Sequence, residues 1–184
     1  GSQVYRHVLG TSQADDVLVF EEHDDSFFMG LGKSRDESLI MLDLEATDTS
    51  DTWILDANNA QGEFMQLCPR VKGHEYDADK LGDTFYIVTN WQAKNFRLMT
   101  ATLATIEQQA QWVELIAHRD EVMLECVELF EQYKVVTLRE KGQIHFRVYC
   151  ADGREYPLEF NDACYYAGLG ENPEPNSQKA RLYY

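Results

Sequence analysis

Runs of strand-forming residues recur along the chain at intervals in the forties, and that spacing restricts the fold more than any other feature. The segments "NFRLM" and "HFRVY" align as Phe96 with Phe146, Arg97 with Arg147 and Leu98 with Val148, an offset of 50 residues. Trp53 and Leu55 of "TWILD" precede Phe96 and Leu98 by 43. The run before each of these repeats too: Leu39, Phe85, Val135 and Leu182 follow one another at 46, 50 and 47 residues. A period of this length marks propeller blades, four-stranded antiparallel sheets that cannot bury both faces without neighbours.

The expected fold is therefore all-β: a partial β-propeller of about three complete four-stranded antiparallel blades plus strands of two flanking blades. One blade reads as "SFFMGLG", "SLIMLDL", "TWILDA" and "FMQLC"; the next runs from "GHEYDAD" through "TFYIVT" and "NFRLM" to "WVELIAH". A third runs from "VMLECVELF" to "YPLEF". One strand, "VYRHVL", stands before them as the outer edge of an earlier blade, and "CYYAG" and "RLYY" begin a later one. Between Thr105 and Tyr133 the residues Ile106, Trp112, Leu115, Ile116, Met123, Val127 and Phe130 also fit one face of a helix. The repeat requires strands there.

With 184 residues the chain buries enough surface to hold a core without disulfides or metals. Its hydrophobic fraction of 44% argues against disorder. No apolar run approaches the ~18 residues that span a bilayer, so no membrane partner is expected. The formal net charge of -16 repels a phosphate backbone, which excludes nucleic acid as a partner, and it favours cationic ligands such as basic peptides. Cys68, Cys126, Cys150 and Cys164 are far apart and show no C-x-x-C pair, as expected of reduced thiols in a cytoplasmic protein. Gly1-Ser2 reads as a cloning scar, leaving residues 3–184 as the propeller segment.

Several short motifs resemble chemistry and lack a required element. "GLGKS" at 30–34 needs a glycine where Phe27 stands to be a phosphate loop; it reads as a strand ending in a Gly-rich turn. "HRD" at 118–120 lacks the asparagine five residues on, where Glu125 stands, and reads as a turn between blades. "DADKLGD" from Asp77 fails as a calcium loop at Leu81 and Val88. The acidic groups Asp15–Asp16, "EEHDD" at 21–25 and "DTSD" at 48–51 read as solvated loops rather than a divalent-ion site. No G-x-S-x-G occurs, and His7, His23, His74, His118 and His145 have no spacing that pairs them with a nucleophile. No catalytic, cofactor-binding or metal-ligating residue is assigned.

Six blocks in order, "VYRHVLGT", "ADDVLVFEE", "GHEYDAD", "TNWQAKNFRL", "HRDEVMLE" and "GLGENP", resemble the propeller segment of the oligopeptidase B group of the prolyl oligopeptidase family of serine peptidases. The likeness runs from Val4 to the last residue. It implies a seven-bladed propeller capping an α/β-hydrolase domain that lies outside this sequence, and cleavage of peptides after Lys or Arg. The catalytic Ser, Asp and His of such enzymes belong to the hydrolase domain, and none matches a position here. On this reading the segment gates substrate by size, with the polar turns of "RVKGHEYD" and "GLGENP" touching the hydrolase domain. Two alternatives stand beside it: a free-standing module that binds peptides or proteins, whose ends should meet in one blade, and a metal-dependent hydrolase built on clustered Asp and His. Open strand edges at "VYRHVL" and "CYYAG…RLYY" are association hazards, so a homodimer or higher assembly is expected.

Overall fold

The computed structural model describes residues 1–59, 61–158 and, as backbone alone, 179–183. Among the described residues fifteen strands are numbered in chain order. The first seven are β1 (Ser2–His7), β2 (Val17–Glu22), β3 (Phe28–Lys33), β4 (Leu39–Glu45), β5 (Ser50–Asp56), β6 (Met65–Gln66) and β7 (Tyr76–Leu81). They are followed by β8 (Thr84–Thr89), β9 (Arg97–Ala101), β10 (Val113–Ile116), β11 (Val122–Leu129), β12 (Tyr133–Glu140), β13 (Gln143–Cys150), β14 (Glu155–Pro157) and β15 (Lys179–Tyr183). The chain divides into two compact units, residues 1–73 with 174–184, and residues 74–173. Among the described residues no helix is long and apolar enough to cross a membrane.

Three sheets are the expected four-stranded antiparallel blades: β3-β4-β5-β6 in the first unit, and β7-β8-β9-β10 and β11-β12-β13-β14 in the second. Burial within each follows its sequence. The second strands carry near-continuous apolar runs, as in Ile40-Met41-Leu42 and Val135-Val136, and these runs are buried. Outer strands β10 and β14 are almost wholly exposed. Tight hairpins join neighbours: Lys141 and Gly142 both take positive φ, the two-residue turn that matches strand twist. In the first unit Val4, Met29, Leu42, Leu44 and Leu55 centre a core that joins two sheets. In the second, Val88, Leu98, Leu124 and Val136 do the same.

Strands run through the stretch that also fitted a helix, with Val113–Ile116 and Val122–Leu129 both extended. Residues 117–121, holding "HRD", form the connection between two blades as expected. Three details differ from the sequence reading. The first sheet has two N-terminal strands rather than one: "VLVFEE" pairs antiparallel with β1, Val4 facing Phe20. Its alternation is short and ends in two carboxylates, so the pattern is weak by itself. Gly30 and Gly32 lie inside β3, and the turn after it is made by Ser34–Ser38 around Asp36, without glycine. Finally, β15 lies parallel beside β1, Gln3 opposite Lys179 and His7 opposite Tyr183, so that Arg181–Tyr183 of "RLYY" meet "VYRHV" within one chain. "CYYAG" and Cys164 lie outside the described residues.

An antiparallel meander of four strands starts and finishes at the same end of its sheet. In every blade, therefore, the link to the next blade and the turn between second and third strands share one end. The segments 67–75, 90–96 and 117–121 all belong to that end of their own sheets.

Candidate functional site

The polar turn "RVKGHEYD" straddles the boundary of the two units, and each side is anchored separately. In the first unit Arg70 donates from Nε to Asp51 Oδ2 at 3.0 Å and from a terminal nitrogen to Glu22, while its guanidinium lies 4.0 Å from the centre of the Phe27 ring. Asp51 is 1% exposed and also accepts from Trp53 Nε1 at 3.0 Å and Gln66 Nε2 at 3.1 Å. Burial pushes the Glu22 carboxyl up, but Arg70 and the Asp24 amide outweigh it and hold Glu22 below the usual carboxylate range. Burial likewise lowers Arg70, and its two carboxylates more than reverse that. Gly73, at φ +88, donates its amide to Thr49 Oγ1 at 3.2 Å. Asp51 was expected in a solvated loop. It stands instead in β5, where sheet pairing carries it into the interior.

In the second unit His74 is 4% exposed, and burial pushes its imidazole down to about 4, so it is neutral. Its Nε2 bonds Thr89 Oγ1 at 2.8 Å, and its ring lies 4.9 Å from Tyr76 and 6.1 Å from Trp112. Thr89 Oγ1 accepts from the Trp91 amide at 3.0 Å. Asn90 Oδ1 accepts from the Glu75 amide at 2.8 Å. Asn95 Nδ2 donates to the Arg119 carbonyl at 3.0 Å and also to that of Asp120, and the Asn95 carbonyl takes the Leu124 amide at 3.0 Å. The blocks "GHEYDAD", "TNWQAKNFRL" and "HRDEVMLE", separate in sequence, thus meet at one end of two sheets.

That end has the chemistry of a fixed polar rim. The His74–Thr89 pair joins an imidazole to a hydroxyl, but both are buried, so it is a brace between strands. His7 Nδ1 bonds Asp16 at 2.5 Å, which closes the β1–β2 hairpin. His23 lies 3.8 Å from Glu21, and His118 lies 3.9 Å from Asp120. His145 stands on β13. Among the described residues no three His, Cys, Asp or Glu side chains come together as a metal-holding group. Asp77 and Leu81 lie on β7, which runs into a hairpin rather than a calcium loop. Cys68, Cys126 and Cys150 are free thiols. The second candidate turn, "GLGENP", lies outside the described residues. Sequence reasoning missed the Arg70 hub; the only signal for it was an aspartate two residues before a strand tryptophan.

The family model for the prolyl oligopeptidase N-terminal β-propeller domain matches residues 1–184. A dipeptidyl aminopeptidase BI of Pseudoxanthomonas mexicana is 39% identical over 183 residues, covering 99% of this chain and 25% of the relative. Among solved structures, oligopeptidase B of Leishmania major superposes with a TM-score of 0.74 at 28% identity, over 94% of this chain and 24% of the other. The closed form of oligopeptidase B of Trypanosoma brucei, with covalently bound antipain, gives 0.78 at 24% identity over 87% of this chain and 24% of the other, a likeness of fold. The chain spans about a quarter of the length of the relatives it matches.

Proposed function

Because the chain belongs to the prolyl oligopeptidase N-terminal β-propeller family, we propose that it is the access-limiting segment of a serine peptidase whose catalytic α/β-hydrolase domain docks on the rim built from residues 74–77, 90–96 and 117–121 of the second unit. The observation that carries this reading is the convergence of three sequence blocks at the end where both blades of the second unit start and finish. A domain joined before or after a set of such blades emerges at that end. There the rim admits peptides and turns away folded proteins, and opening and closing of the contact sets entry.

The parent enzyme on this reading cleaves after Lys or Arg. The charge of -16 supports it by drawing cationic peptides toward the entrance. Free thiols at three positions suit a reducing compartment, and we place the enzyme in the cytoplasm, which fractionation of the source cells tests. The experiment for gating replaces the matching quarter of the dipeptidyl aminopeptidase relative with this chain, and compares cleavage of a short basic peptide with cleavage of a folded protein. The chimera should keep the preference for the peptide. Loss of the propeller without any change in that preference would end the gating reading.

One observation favours the interaction-module alternative: β15 and β1 lie in a single sheet, so distant parts of the chain meet there.

A further inference from the structure

Each four-stranded sheet ends, in chain order, on a short strand, and β2, which follows β1 in its own sheet, is longer than any of these. Strand β6 has 2 residues, β10 has 4, and β14 has 3 and ends in Pro157. Short edges and proline are the usual means by which sheets avoid pairing with foreign strands. Strand β2 has 6 residues, Val17–Glu22, with neither lysine nor proline. It is the outer strand of its sheet, with β1 on its other side, and a single register slip opposite Val4 and Tyr5 is its one irregularity. Val17 and Leu18 are 50% and 43% exposed.

A groove runs beside this edge, lined by Val17, Leu18, Trp53, Phe64, Glu21 and Glu63, with Arg6 also on its wall. Its floor is aromatic: Phe20 meets Trp53 edge-on at 5.1 Å and Phe64 at 6.1 Å. An open strand edge supplies backbone donors and acceptors to an extended chain, and a groove beside it takes alternate side chains. Glu21 and Glu63 outnumber Arg6, on a chain of net charge -16. A second copy would bring that same charge to the edge, whereas a cationic strand relieves it.

We propose that β2 and this groove form a docking site for an extended basic peptide, which adds as a further strand and sets its apolar side chains against Trp53 and Phe64. The site lies in the first unit and does not depend on the gating reading. It gives the chain a binding function that needs no hydrolase domain.

The test uses the 184-residue chain and two labelled eight-residue peptides, one alternating valine with lysine and one alternating valine with glutamate. Fluorescence anisotropy should show saturable binding of the lysine peptide, at least tenfold tighter than of the glutamate peptide, with a change in tryptophan emission from Trp53. Leu18→Lys, which restores edge protection at an exposed position, should weaken binding at least tenfold while leaving the circular dichroism unchanged. The double change Glu21→Lys with Glu63→Lys should reverse the preference between peptides. Equal binding of both peptides, or binding indifferent to Leu18→Lys, overturns the proposal. So does light scattering that shows a concentration-dependent dimer abolished by Leu18→Lys, because the edge would then belong to a second copy.

Discussion

Replacing Arg70 by methionine removes the one cation that serves two buried carboxylates, and its effect follows from what each is left with. Glu22 keeps the Asp24 amide at 3.0 Å, and Asp51 keeps Trp53 and Gln66. Removing one partner of a buried ion pair costs about 3–5 kcal/mol when the remaining charge is uncompensated. The surviving donors and the partial exposure of Arg70 reduce this, so the expected loss at pH 7 is about 2–3 kcal/mol. For a domain of this size that lowers the melting temperature by roughly 5–10 °C. The pH dependence supplies a second readout. Glu22 is held below its usual range, so its contribution is present above the unfolded carboxylate value and is lost as pH falls through the folded one. The gap between wild type and Arg70→Met should therefore narrow on going from pH 7 to below about 4. Urea unfolding at the two pH values measures it. A loss under about 0.5 kcal/mol, or one that does not change with pH, would refute the claim that Arg70 compensates two buried charges.

Three further outcomes can be checked on the same chain. His74 is held down to about 4, so its neutral form is required by the fold, and stability should fall as pH drops from about 6.5 toward 4, by up to roughly 3 kcal/mol. His74→Gln, which keeps a bond to Thr89, should flatten that slope in urea titrations. Asn95→Ala strips the Arg119 and Asp120 carbonyls of their side-chain donor and should cost about 1–2 kcal/mol, with faster amide exchange at Leu124. Leu98→Ala in the second core should cost about 2–5 kcal/mol by urea unfolding.

The architecture was legible because a propeller repeats itself: Phe96 and Phe146 could be aligned before any strand was placed. The same device decided the stretch from Thr105 to Tyr133, where helical periodicity and strand repeat conflicted and the repeat prevailed. What it did not reach were features that occur once. The alternation of β2 is short and ends in two carboxylates, and Asp51 looks like any loop aspartate until β5 pairs on both sides and carries it inward. Nor does a one-dimensional pattern show that His74, Asn90 and Asn95 share one end of a unit, since that depends on the meander returning to its start. The blocks that carried the family resemblance were readable as words; their meeting place was a property of topology.

The parallel pairing of β1 with β15 has a consequence for the order in which the chain can be built. Residues 74–158 form two sheets entirely from contiguous sequence, each strand beside the one just made. The first sheet instead needs Lys179–Tyr183, made long after β1, to cover the far side of β1. Closing so long a loop adds only a few kcal/mol over a short one, but it cannot begin until Lys179–Tyr183 have been made. At ribosomal speeds of about 5–20 residues per second, β1 waits many seconds with one edge bare while the later blades are already complete.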